Sequence, residues 1–156
     1  MQQSAQPQQN PELVLKILWG ALAMAQFMLV FVSSTILTTP PDPAAFTDIV
    51  KYMFLAMAAG ALVMAFVLPN FLSMQIRTRI EKEGRSIDSM EVRELAPRAT
   101  VPFIMRLALL ESVTLMGMML TLQSGDQSYV MALAAVALVG FAVSFPSERN
   151  IRGILR

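Results

Sequence analysis

Four long apolar runs dominate the chain, in place of the regular alternation of apolar and polar positions seen in soluble domains. They cover residues 13–37, 46–68, 101–123 and 127–145. As helices, the first three are long enough to cross a ~30 Å hydrocarbon core, and the fourth just reaches it. Polar stretches separate the runs: the charged connection 70–99, the turn SGDQ at Ser124–Gln127, and TTPPDP at Thr38–Pro43. The pattern predicts an all-α membrane protein, an antiparallel four-transmembrane-helix bundle with a cytoplasmic helical loop between helices 2 and 3.

Local signals set the expected boundaries. Residues 1–12 are Gln-rich and broken by proline, too polar to bury a core, and are expected to be disordered. Pro40 and Pro41 end the first span because proline has no backbone N–H to give. Asp48 lies in the first turn of the second span, and Pro69 is expected to kink or end it. Beyond Pro69, residues 73–85 keep helical propensity and an apolar edge at Phe71, Ile76 and Ile80. They either extend the second helix or lie along the membrane surface. Gly84 is a natural stop. Asp88 with Glu91 resembles a capping box opening a short helix that Pro97 closes. Thr100 then caps the third span, with Pro102 in its first turn. Pro146 ends the fourth span, and the tail 147–156 alternates Arg149, Arg152 and Arg156 with Ile151, Ile154 and Leu155, the pattern of a basic interfacial segment.

Composition narrows the chemistry. Charged residues make up 15% of the chain and hydrophobic ones 55%, with a mean hydropathy of +0.56. Soluble domains carry about 25% charged residues. With no cysteine and no histidine, disulfides, thiol nucleophiles, imidazole acid–base catalysis and thiolate or imidazole metal sites are excluded. No enzyme, cofactor or metal site is expected. The thirteen methionines read as gap-filling in a packed bundle. A net charge of +1 gives no case for nucleic acid. The partners expected are the lipid bilayer and either copies of the chain, as a homo-oligomer, or partner membrane proteins.

The basic residues specify topology instead. Eleven of the twelve lie on one side of a four-span arrangement, and only Lys51 lies on the other. That asymmetry places both termini in the cytoplasm. Lys16, Trp19, Arg106, Arg149, Arg152 and Arg156 are then candidates for the membrane interface or for lipid phosphate. Ala56 and Gly60, Ala61 and Ala65, and Gly140 are candidates for close helix packing, since small residues four apart let helix backbones approach.

One residue needs a special explanation. Glu111 sits near the middle of the third span, where an ionised side chain costs ~2.5–3.5 kcal/mol or more. Arg106 is five residues away, about 140° around the helix, and does not face it. Glu111 is therefore neutral and hydrogen-bonded, paired across helices, or bound to a cation. Gln26 of the first span lies at similar depth and Ser112 is adjacent, so Gln26, Glu111 and Ser112 form a candidate ion-binding or interhelical polar cluster.

The segment ALLESVTLMGMML (Ala108–Leu120) resembles the carboxylate-bearing helix of rotary ATP synthase c subunits, and RELAPRA (Arg93–Ala99) is loosely similar to the polar loop before it. This resemblance implies an ion-carrying role for Glu111, with Ser112 and Gln26 as companions. It covers about one-sixth of the chain and lacks that family's glycine-rich partner helix. A second resemblance rests on Arg98, Pro102, Ile104, Arg106, Ala108, Leu109, Glu111 and the closing run Pro146–Ile151. In these the chain is similar to small uncharacterised four-span bacterial proteins, which implies the bacterial inner membrane and no activity. The expected function is a non-enzymatic, self-associating or accessory subunit of a membrane complex. The alternative is proton or cation translocation through Glu111 in a ring or other oligomer.

Overall fold

The computed structural model describes residues 10–36 and 48–155, and every regular element among them is helical. These are α1 (Pro11–Ile36), α2 (Asp48–Lys82), a 3₁₀ turn (Ile87–Ser89), α3 (Val92–Ser124), α4 (Ser128–Val143) and α5 (Glu148–Leu155). The disorder expected over residues 1–12 does not hold at Pro11 and Glu12, which open α1; the rest of that expectation over residues 1–9, the TTPPDP stop and a second-span start at Phe46 fall outside the described residues, as does Arg156.

One expected break is absent, and of the two alternatives left open beyond Pro69 the extension of the second helix is the one that forms. α2 runs through Pro69 to Lys82, and α3 includes both Pro97 and Pro102, so a separate short helix closed by Pro97 does not form. Most of the stretch 70–99 is thus helix continued from the spans on either side. An interior proline costs a helix ~3 kcal/mol. Against that, the start of α3 buries Leu95, Ala96, Ala99 and Phe103 with Ile80, Ile151 and Leu155 in the main core. Each large apolar side chain removed from water contributes ~1.5–3 kcal/mol, so several of them outweigh one lost backbone bond. Thr100 donates to the Ala96 carbonyl (2.9 Å) from inside the helix and caps nothing.

The connection itself is short. Gly84 (φ +70°) ends α2, with the Gly84 and Arg85 amides bonding back to Glu81 and Ile80. Ser86, rather than Asp88, caps the 3₁₀ turn, and Glu91 begins α3 without a side-chain cap. Two ion pairs, Arg98–Glu83 (2.9 Å) and Arg85–Glu94 (3.0 Å), bridge the ends of α2 and α3. At the other end Gly125 (φ +74°) turns the chain, its N–H bonding to the Thr121 carbonyl at 2.8 Å.

α3 is the central helix, packing against α1, α2, α4 and α5. α1 and α2 follow one another in sequence but pack chiefly on α3 rather than on each other. Residue pairs fix the directions. Glu83–Arg98 and Ala65–Arg106 order α2 antiparallel to α3. Leu110–Gly140 and Thr121–Val130 do the same for α4. α1 runs antiparallel to α4 and therefore along α3.

α1, α2 and α3 are each long and apolar enough to cross a membrane; α4 passes that test only together with α5, across a 93° bend, giving up to four spans by length and composition. Asn150 fixes the bend by donating from Nδ2 to the carbonyls of Val143 (2.9 Å) and Phe145 (2.7 Å). Ile151, Ile154 and Leu155 of α5 are buried in the main core. The apolar face of the tail is therefore used inside the protein rather than turned outward as an interfacial segment would turn it.

Candidate functional site

The polar centre of the helices forms where α1 meets α3. The buried face of α3 follows the spacing Leu107, Leu110, Thr114, Gly117, Thr121, three or four residues apart as one helix face requires. Thr114 faces α1 from this seam, and its hydroxyl donates to Gln26 Oε1. Both residues are fully buried. The other end of the Gln26 amide, Nε2, has no hydrogen-bond partner, and an unmade buried bond costs ~1–3 kcal/mol.

Of the three residues expected to cluster, the structure joins none by a hydrogen bond. Gln26 is bonded to Thr114, and Ser112 donates to the Leu109 carbonyl of its own helix (2.7 Å). Glu111 is half-buried, and among the described residues its carboxyl makes no hydrogen bond or ion pair. It lies on an otherwise apolar, exposed stripe of α3: Ile104, Ala108, Leu115 and Met119. Thr114 is the residue that sequence reasoning passed over. The signal was its place in the 107–110–114–117–121 spacing, on the face that carries Gly117.

Arg106 has a specific partner. Pro69 has no N–H for the carbonyl four residues before it, that of Ala65. Arg106 Nε donates to that oxygen at 3.3 Å, and its guanidinium lies over the Phe66 ring, 5.3 Å from the centroid. The cation placed by sequence at the interface therefore stitches α3 to the proline turn of α2.

The other interface candidates divide. Trp19 donates from its indole N–H to the Phe141 carbonyl (2.8 Å) and packs edge-on against Phe145, with centroids 5.1 Å apart. Lys16 pairs with Glu12 at 2.6 Å. Arg152 pairs with Glu148 and donates to the Ile87 carbonyl (3.0 Å), whereas Arg149 is exposed. At the opposite end, the Lys51 ammonium lies over the Tyr129 ring (5.5 Å). Asp126, in the α3–α4 turn, accepts from the Ser128 amide (2.9 Å). The bonds from Ser128, with the nearby Lys51 charge, hold its carboxyl below the ordinary value of 3.8.

Close packing concentrates between α3 and α4. A Cβ on Gly140 would lie 2.5 Å from Leu110 Cδ2, and one on Gly117 would lie 3.0–3.1 Å from atoms of Tyr129, Val130 and Leu133. Gly140 was anticipated; Gly117 was not. Ala65 is buried and Ala61 half-buried against the core, but Ala56 and Gly60 are exposed, with nothing near the position of a Gly60 Cβ. Among the described residues, no group of three or more His, Cys, Asp or Glu side chains converges as a metal site would require. Comparison of the chain with protein-family models, curated proteins and solved structures gives no match.

Proposed function

We propose that the chain is a non-enzymatic, self-associating or accessory subunit of a membrane complex, with Glu111 as its association contact. In this reading the helices form a four-span bundle in a bacterial inner membrane, the salt-bridged ends of α2 and α3 lie in the cytoplasm, and both termini are cytoplasmic. The basic residues support that orientation.

The observation that carries the reading is Glu111. A carboxyl in the middle of an apolar helix, half-exposed and without a partner among the described residues, is costly in hydrocarbon and gains a partner when another helix covers it. Its stripe is a regular helical face with one polar group, the form in which membrane helices use polar side chains to associate. Ion translocation through Glu111 is the weaker reading. The two side chains that would complete its ligand set, those of Gln26 and Ser112, are engaged with Thr114 and Leu109. The test is the association state in mild detergent of the wild type against Glu111→Gln and Glu111→Leu. Gln keeps the hydrogen bond and Leu removes it.

A further inference from the structure

A second polar group is left unsatisfied at mid-depth, and it lies on a different surface from Glu111. α1 and α4 border an open groove of about 400 Å³ that has Gln26 among its lining residues. Phe27 and Phe31, one turn apart on α1, form one wall; Ala134, Ala135 and Leu138 of α4 form the other. The volume falls in the range of small-molecule sites, ~300–1,000 Å³. Apolar walls with few polar groups are also the usual make-up of such sites, and apart from Ser34, whose hydroxyl donates to the Phe31 carbonyl, one polar side chain lines this one. That polar group is the Gln26 amide, fully buried with Nε2 unpartnered.

We propose that this groove binds a neutral, lipid-soluble carbonyl compound of the quinone class, with the Gln26 amide donating to its carbonyl. Three observations select this chemistry. The free group is an N–H donor, so the ligand must bring an acceptor. Gln26 is the sixteenth of the 26 residues of α1, near the middle of its span, whereas the polar groups of phospholipids lie at the membrane surface; the acceptor must therefore be one that dissolves in hydrocarbon. The phenylalanine pair supplies exposed aromatic surface that a flat molecule can cover, and the two alanines opposite are small. The Gln26 side chain is flexible, and turning it toward the groove presents the amide to a bound acceptor. No chemical step is implied: the site binds.

The chain carries its own reporter. Trp19 is its single tryptophan, seven residues before Gln26, hence about 10 Å away along α1 and on the same helix face. Titrating the purified full chain in detergent with a decyl-tailed benzoquinone should quench Trp19 to a saturable plateau. Decylbenzene, which has the tail and ring but no carbonyl, should compete at least fivefold less well. In Gln26→Leu the apparent affinity should fall about fivefold, the loss of one ordinary hydrogen bond. Thr114 keeps a fallback acceptor in its own helix backbone. Ala135→Phe narrows the groove from an exposed position and should abolish saturation while leaving Gln26 intact. Quenching that rises linearly and equally in all three proteins would reflect simple partitioning and overturn the proposal. So would a disulfide between Ala135→Cys copies in native membranes that forms at a yield the quinone does not change, since a second copy would then fill the groove.

Discussion

Arg106 donates to the carbonyl of Ala65 (3.3 Å), the backbone acceptor that Pro69 leaves without its helical partner. The pair explains how α2 continues through a proline that its sequence marks as a break, and why an arginine is placed inside an otherwise apolar helix. A side chain from α3 supplies the bond that the α2 backbone lacks. The contact ties the second and third spans together at the level where α2 is weakest.

Arg106→Leu should therefore destabilise the fold by about 1–2 kcal/mol, the range for a charge-assisted hydrogen bond that is not fully buried. The loss should shrink in a Pro69→Ala background, where residue 69 supplies its own N–H to Ala65. A double-mutant cycle on thermal or denaturant unfolding in detergent checks this. Equal losses in both backgrounds would show that Arg106 acts through something other than the orphaned carbonyl.

The glycines of α3 and α4 should not behave like the glycine of α2. Gly140→Ala forces Leu110 to move, since the new Cβ would lie 2.5 Å from Cδ2, and should cost about 1–3 kcal/mol by overpacking. Gly60→Ala meets open space and should gain roughly 0.5–1 kcal/mol from helix propensity. Melting temperatures of the two variants, measured side by side, should shift in opposite directions.

The turn at Asp126 should impose an acid dependence. Its carboxyl is held below 3.8 by the Ser128 bonds and by Lys51. A group with a depressed folded pKa contributes its full stabilisation above the unfolded value and loses it as pH falls through the folded value. The wild type should thus melt above Asp126→Asn at neutral pH, and the gap should close as pH is lowered below about 4. A gap that persists unchanged into strong acid would remove the ionised carboxylate from the account.

Much of this architecture is legible in the sequence, and the parts that are not have identifiable physical causes. Hydropathy places the apolar cores of the helices correctly because burial in hydrocarbon is a bulk property summed over many residues. Pro97 misleads because a proline's cost is local while its compensation is tertiary: Pro97 is offset by the core around Leu95 and Phe103, as Pro69 is by Arg106. Glycine spacing on α2 points to Ala56 and Gly60, yet the close approach occurs at Gly117 and Gly140, since which face of a helix turns inward depends on the neighbour it meets. The polar centre is half legible. Gln26 and its depth can be read, but its choice of Thr114 over Glu111 depends on how α3 is rotated against α1, which the order of residues does not specify.

Glu111 carries the central claim, and its association state tests that claim most directly. The measurement is native mass spectrometry, or an equivalent in-membrane association assay, on the wild type, Glu111→Gln and Glu111→Leu purified in mild detergent. Interhelical polar contacts in membranes contribute ~0.6–2 kcal/mol each, so about a 3- to 30-fold weakening per contact is expected on losing one. The account predicts that the wild type and Glu111→Gln are recovered as oligomers or with a bound partner protein, while Glu111→Leu shifts toward the isolated chain. A wild type that is monomeric and partner-free, or a Glu111→Leu variant that associates as tightly as the wild type, would contradict it.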